Sequence, residues 1–170
     1  MSEFFRKKET IKASFAFCFL VFVVWFGLGK SKPISASHQR HGSFCCAVNC
    51  MDGRVQDVVK DYMRKYCDVD YVDMITEAGP NKVLADNPKS GLAKEIIIDI
   101  KERIAISKKH HSAKTVAIVG HFGCAGNPAS KNEQIQHLKK AKETVESFGF
   151  DIRIILLWVE KDFKTIELVN

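Results

Sequence analysis

Three side chains able to bind a borderline or soft metal ion stand out in the sequence: Cys50, His121 and Cys124. Thiolate sulfur and imidazole nitrogen are the donors that Zn²⁺ selects in proteins. The step of three residues from His121 to Cys124 lets both side chains turn toward one point, and Cys50 arrives from another segment. Three protein donors leave one position of a tetrahedral zinc site open, which is typical of catalytic rather than structural sites. The residue types therefore predict one catalytic Zn²⁺ per chain.

A carboxylate and a guanidinium follow closely behind the first cysteine. Asp52 and Arg54 lie two and four positions after Cys50. A carboxylate so near a metal has two possible arrangements. Asp52 can become the fourth metal ligand and close the site, or Arg54 can hold it in a bidentate pair. In the second arrangement the Asp52 carboxylate accepts a hydrogen bond from a zinc-bound hydroxide and so orients that hydroxide for nucleophilic attack.

The elements that must position these residues alternate between strand and helix. Short apolar runs predict buried strands, at 44–49, 71–75, 115–119 and 152–159, with a possible edge strand at 166–169. Between them, apolar residues three and four apart predict amphipathic helices, at 55–66, 93–104 and 135–148. Ser130 and Glu133 form a capping-box pair that opens the last helix, and Gly79-Pro80 indicates a loop. The pattern predicts an α/β fold with a single, mainly parallel β-sheet flanked by helices.

The predicted sheet brings the two groups of donors together. Cys50 follows the first strand, and His121 and Cys124 follow the third. Ligands of such sheets bind beyond the carboxyl ends of the strands, where the strand order reverses. If the first and third strands are neighbours, the two loops face each other across that edge. The pattern alone therefore places the predicted metal ligands in one site.

The N-terminal segment differs from the rest of the chain. Residues 13–29 are seventeen consecutive uncharged residues that follow Arg6, Lys7, Lys8 and Lys12. A cationic flank before an apolar run is typical of a secretory signal, and the run also reaches the lower limit for a membrane-spanning helix. We expect residues 1–40 to be a signal peptide or membrane anchor with a linker, and residues 41–170 to be a zinc-binding α/β domain. The location expected for this domain is membrane-anchored or exported, either periplasmic or otherwise extracytoplasmic.

The basic character of the protein belongs to the same segment. The formal net charge of the chain is +6. Residues 1–40 hold seven Lys or Arg and two Glu, whereas residues 41–170 hold nineteen Lys or Arg and eighteen Asp or Glu. Binding to a phosphate backbone needs a clustered cationic face. We therefore expect no nucleic-acid partner for the body of the protein.

The two metal-site motifs together resemble those of the β-class carbonic anhydrases. The first motif, C-x-D-x-R, is Cys50-Met51-Asp52-Gly53-Arg54, and the second, H-x-x-C, lies within Gly120-His121-Phe122-Gly123-Cys124. Either motif alone is weak, but both occur in the family's order and at the ends of the expected strands. The resemblance covers residues 44–160 and implies a divergent, minimal member of the family.

The resemblance implies a zinc lyase that interconverts carbon dioxide and bicarbonate by attack of a zinc-bound hydroxide. Cys50, His121 and Cys124 would be its metal ligands, and Asp52 and Arg54 the dyad that orients the hydroxide. It also implies a homodimer with the site near the subunit interface. Contact with a membrane would come through the N-terminal segment, if that segment is not cleaved.

One loop departs from the family pattern. The family commonly has Arg-Asn-Ala-Gly after the second strand, and this chain has Thr76-Glu77-Ala78-Gly79. Only Ala78 and Gly79 match, so the family's substrate contacts from this loop do not carry over to this chain. Two alternative functions remain open on this basis: hydrolysis of a related heteroallene, COS or CS₂, and a catalytically inactive zinc-binding module.

The remaining cysteines and histidines have simpler interpretations. Cys45 and Cys46 lie on opposite faces of the first strand and are expected in the core, as is Cys67. In an exported protein these three could form disulfides, with partners that the sequence does not assign. His110 and His111 are expected to be solvated after a long helix, and His137 to lie on a helix surface.

Overall fold

A computed structural model describes residues 42–170 of the chain. The hydrophobic helix and the signal or anchor predicted for residues 1–40 lie outside the described residues. The strands of the described part are β1 (Phe44–Cys50), β2 (Tyr71–Glu77), β3 (Thr115–His121), β4 (Arg153–Val159) and β5 (Ile166–Val169). Its helices are α1 (Gly53–Cys67), α2 (Pro80–Asp86), α3 (Leu92–His111) and α4 (Lys131–Glu146). Among these four helices, none is long and apolar enough to cross a bilayer.

The five strands of residues 42–170 form one sheet in the order β2-β1-β3-β4-β5. The first four are parallel, and β5 pairs antiparallel with β4. The predicted α/β architecture is confirmed, including the edge strand. Because β1 lies between β2 and β3, the strand order reverses beside β1, and the carboxyl ends of β1 and β3 are neighbours.

The helices bury one face each against the two sides of the sheet. On one side, α1 places Val55, Val59 and Met63 against a cluster that includes Cys45 and Ala47. On the other side, α3 and α4 cover Cys46 and Val48 with the buried residues Ile100, Ile104, Leu138 and Val145. Alternate residues of β1 thus enter opposite cores, because successive side chains of a strand point to opposite faces. The expected core positions of Cys45 and Cys46 are therefore confirmed.

The capping box predicted at Ser130 is present. The Ser130 hydroxyl accepts a hydrogen bond from the Glu133 backbone N–H at 3.4 Å, and the Glu133 carboxylate accepts one from the Ser130 N–H at 2.8 Å. The two groups satisfy donors that the first turn of a helix leaves free. This cap fixes where α4 begins after the loop that carries Cys124.

A short helix begins where the sequence indicated only a loop. Pro80 is the first residue of α2, where a proline costs no hydrogen bond and its fixed φ suits the helix. Gly79 precedes it with φ +60°, and a Cβ at Gly79 would lie 2.5 Å from the backbone carbon of Gly126. The start of α2 and the loop after β3 therefore touch backbone to backbone, which only glycine at both positions permits.

Candidate metal centre

Cys50, His121 and Cys124 converge at the carboxyl edge of the sheet. Their ligand atoms all lie within 4.8 Å of one another, and the Sγ atoms of Cys50 and Cys124 are 3.8 Å apart. All three side chains are buried. Cys50 is the last residue of β1 and His121 the last residue of β3, so both strands run slightly longer than the sequence predicts. The sheet therefore brings together the three predicted ligands from segments about seventy residues apart.

The ring of His121 is oriented with one nitrogen available. Its Nδ1 lies 3.0 Å from the backbone oxygen of Phe122. Because a carbonyl oxygen only accepts, Nδ1 must carry the proton, and Nε2 is left with a free lone pair. Nε2 is buried and has no hydrogen-bond partner among the described residues. A buried ring nitrogen without a partner, fixed from the other side by a carbonyl, has the arrangement of a metal-ligating histidine.

The two cysteine sulfurs differ in how readily each loses its proton. Their mutual hydrogen bond lowers the pKa of the Cys50 thiol well below its ordinary value and raises the pKa of the Cys124 thiol, which burial raises further. The thiolate form is therefore favoured at Cys50. Backbone N–H groups around the two sulfurs also favour the thiolate form: those of Asp52, Gly79, Gly126 and Asn127.

The donor set fits a zinc ion. Two sulfurs and one imidazole nitrogen are a ligand combination found at catalytic zinc sites, with a fourth position left for water or substrate. The Nε2 atom of His121 has a lone pair free to bind such an ion. The backbone amides near the sulfurs stabilise the negative charge of a thiolate ligand. The residues that could hold the metal are therefore Cys50, His121 and Cys124.

Asp52 is held by Arg54. The Arg54 Nε lies 3.0 Å from Oδ1 and 3.1 Å from Oδ2 of Asp52, and Nη2 lies 2.5 Å from Oδ2. Asp52 also caps α1 by accepting a hydrogen bond from the Arg54 backbone N–H at 3.0 Å. Hydrogen bonding to Arg54 lowers the pKa of Asp52 to about 2. Of the two arrangements open from the sequence, the structure has the one in which arginine holds the carboxylate.

A buried amide that the sequence analysis did not single out supports the second metal-ligand segment. Gln134 of α4 is fully buried. Its Nε2 lies within hydrogen-bond distance of three backbone oxygens, those of His121 (3.1 Å), Asn127 (3.0 Å) and Ala129 (3.3 Å). Its Oε1 accepts a hydrogen bond from Asn81 of α2 at 3.2 Å. Gln134 therefore fixes the backbone on both sides of Cys124.

The sequence did contain a signal for Gln134. It occupies the same helical stripe as Leu138, Ala141 and Val145, at spacings of four, seven and eleven. The predicted helix at 135–148 begins one residue later, at Ile135, which is only half-buried. A polar residue on an otherwise apolar stripe indicates a buried hydrogen-bonding role.

Two histidines have roles that their predicted surface positions did not suggest. His137 is half-buried, and its Nδ1 lies 3.1 Å from Nδ2 of the fully buried Asn127. His111 pairs with Asp73 at 2.7 Å and stacks on Phe44, with ring centroids 4.4 Å apart. His111 is exposed, as expected, but it is also held by these contacts, and His137 lies at the helix surface with only part of its side chain exposed. In each case the partner lies far away in the sequence or on a loop.

We expect Gln134→Leu to destabilise the domain by about 3 kcal/mol, because the two buried carbonyl oxygens of His121 and Asn127 lose their donor while the side-chain volume is nearly kept. Urea unfolding followed by circular dichroism measures this change. Gln136→Leu is the matched control, since Gln136 is exposed on the same helix and should change stability by less than about 0.5 kcal/mol. Equal effects of the two variants would contradict the supporting role of Gln134.

Comparison with known proteins places the chain among carbonic anhydrases. A family model described as "Putative carbonic anhydrase" matches residues 40–170. The chain is similar to a solved β-carbonic anhydrase from Trichomonas vaginalis, with 16% identity, a TM-score of 0.48, and coverage of 99% of this chain and 98% of that one. It is also similar to the carbonic anhydrase of Streptococcus mutans, with 16% identity, a TM-score of 0.46, and coverage of 100% and 99%. No curated protein matches the chain.

Proposed function

Because the chain belongs to the carbonic anhydrase family, we propose that it is a divergent β-class member that catalyses the reversible hydration of carbon dioxide to bicarbonate. One observation carries the proposal: two paired thiols and an imidazole nitrogen without a partner meet at one point. An ionised carboxylate held by arginine lies on the same loop as Cys50.

In the proposed reaction three residues bind the metal, and the Asp52 carboxylate orients the nucleophile. Cys50, His121 and Cys124 would hold the ion. Zinc held there supplies Lewis acidity, which makes water nucleophilic near neutral pH. Asp52 remains ionised over the working pH range because its pKa is about 2. A carboxylate in that state only accepts, so it orients an attacking water molecule through a hydrogen bond from the water O–H to Asp52.

Arg54 controls which way the Asp52 carboxylate faces. Its fork of N–H donors contacts both carboxylate oxygens, and a bidentate contact fixes the plane of the carboxylate as well as its position. An acceptor of fixed orientation lowers the barrier because it does not have to be arranged during the reaction. The pair thus serves as a preorganised acceptor beside the metal ligands.

The proposal includes a homodimer with the site near the interface. The residues that directly follow two of the donors are apolar and exposed: Met51 is 66% and Phe122 44% exposed. Exposed apolar side chains beside a functional site favour a protein partner, and the partner that we propose is a second copy of this chain.

Stopped-flow measurement of carbon dioxide hydration by the full chain tests the function, with zinc content and oligomeric state determined on the same sample. We expect a hydration rate that rises in proportion to bound zinc. Release of sulfide from COS or CS₂ without hydration of carbon dioxide would instead identify a heteroallene hydrolase. Stoichiometric zinc with neither activity would identify an inactive zinc-binding module.

A further inference from the structure

An aromatic ring from the β4–β5 turn lies against the guanidinium of Arg54. The Cζ atom of Arg54 is 4.4 Å from the centroid of the Phe163 ring. The same guanidinium contacts Asp52 through Nε and Nη2. A guanidinium over an aromatic face at this distance is held by cation–π attraction and stacking. Arg54 is therefore held by the Asp52 carboxylate and by the face of Phe163.

The turn that carries Phe163 has a defined conformation. Phe163 has φ +52°, which is unfavourable for a residue with a bulky side chain. Such a conformation persists only where the surroundings enforce it. Here the Asp162 carboxylate accepts hydrogen bonds from the backbone N–H groups of Lys164 and Thr165, both at 2.9 Å, and from the Thr165 hydroxyl at 2.8 Å. The Phe163 N–H donates to the Glu160 oxygen at 3.0 Å.

The ring is also fixed from the core side. Phe163 is half-buried and packs against the cluster that contains Val55 and Val59 of α1. Its position is thus set by the turn and by the helix that begins at the Asp52 cap. Arg54, in contrast, has a long side chain that is 54% exposed. Without the ring, solvent would replace the aromatic face and the guanidinium could leave the carboxylate by rotation about several bonds.

We infer that Phe163 is a positioning residue for the Asp52–Arg54 pair. The ring limits the guanidinium to the plane in which Nε and Nη2 face the Asp52 oxygens. Asp52 consequently keeps the orientation in which it accepts from the nucleophile. This inference rests on the proposed hydration activity only for its catalytic consequence, since the effect on Arg54 exists whether or not the protein is active.

The variants that test the inference separate the effect of the aromatic face of Phe163 from the effect of the size of its side chain. Phe163→Leu keeps an apolar side chain of similar size and removes the face, whereas Phe163→Tyr keeps the face. Phe163→Gly removes the ring and relieves the positive φ, so it separates the ring from the strained backbone. Phe148→Leu is the matched control, because Phe148 lies under Lys101 at 5.6 Å and belongs to the cluster on the other side of the sheet.

Two measurements are made on each variant. The first is the NMR signal of the Arg54 Nε–Hε group, which an adjacent ring shifts upfield and which the contact with Asp52 protects from exchange with water. The second is kcat/KM for carbon dioxide at equal zinc content. We expect Phe163→Leu and Phe163→Gly to lose the shift, to speed the exchange, and to lower kcat/KM by about three- to tenfold. Phe163→Tyr and Phe148→Leu should behave like the unchanged protein.

The outcomes distinguish this inference from the proposed function. An unchanged Arg54 signal in Phe163→Leu, or a rate that stays unchanged while the signal is lost, would overturn the positioning role. A loss of rate in Phe148→Leu equal to that in Phe163→Leu would overturn it as well, because the effect would then be general. If the unchanged protein hydrates no carbon dioxide while the Arg54 signal responds as expected, the positioning of Arg54 stands and the proposed reaction is wrong.

Discussion

Replacing Cys124 by serine is expected to lower zinc affinity by more than about 100-fold and to abolish carbon dioxide hydration. Loss of an outer partner of a metal ligand already weakens binding by about 10- to 100-fold, and here a ligand itself is lost. A serine hydroxyl also cannot take over the thiolate charge that the surrounding amides stabilise. Competition with a chromogenic chelator measures the affinity, and stopped-flow measures the activity.

Cys46, a buried cysteine of β1 that is not among the predicted metal ligands, provides the control. Cys46→Ser changes an equally buried thiol whose side chain enters the core between β1 and α3. It should bind zinc as the unchanged protein does, even if the domain becomes less stable. A Cys124→Ser protein that retains both its metal and its activity would overturn the assignment of the ligands.

The second large effect is expected for Asp52→Asn. The amide keeps the size of the side chain, but it places an NH₂ donor where a carboxylate oxygen accepts. We expect kcat/KM to fall by about 100-fold, the lower range for loss of a group that accepts a proton or its hydrogen bond in the reaction. Zinc content should stay the same, because the three ligand atoms lie together without Asp52.

Arg54 and Asp57 supply the comparisons for this variant. Arg54→Lys leaves a single point of contact in place of the bidentate one, and we expect a smaller loss, about tenfold. Asp57→Asn removes another carboxylate from α1, an exposed one that pairs with Lys60, and should leave the rate unchanged. If Asp52→Asn also leaves the rate unchanged, Asp52 is a structural helix cap rather than a catalytic residue.

The parts of this architecture that were predictable from the sequence are those governed by local periodicity. The apolar runs of β1 and β3 and the stripe of α1 follow from the two repeats that strands and helices impose. Parallel pairing then predicts that Cys50 and His121 lie at the same edge of the sheet, and close together if β1 and β3 are neighbours. The structure confirmed that arrangement to within the length of one or two residues at each strand end.

The helical stripe of α4 could have revealed that Gln134 is buried, but the partners of such side chains were not predictable, because they lie on distant segments. Gln134 binds carbonyl oxygens up to thirteen residues away, and its partner Asn81 lies fifty-three residues away. Phe163 meets Arg54 across more than one hundred residues, through a positive φ that no phenylalanine favours intrinsically. Neither periodicity nor motif spacing records such contacts, because they depend on how the loops close over the finished sheet.

The backbone contact between Gly79 and Gly126 limits which substitutions this domain can accept. A Cβ at Gly126 would lie 2.5 Å from the carbonyl carbon of Ala78, just as one at Gly79 would strike Gly126. The neighbouring Thr76 and Glu77 have no such restriction, and they are the positions where the chain departs from the Arg-Asn-Ala-Gly pattern. A lineage can therefore remodel the first half of that loop, while any side chain at either glycine would force apart the walls that enclose the two sulfurs.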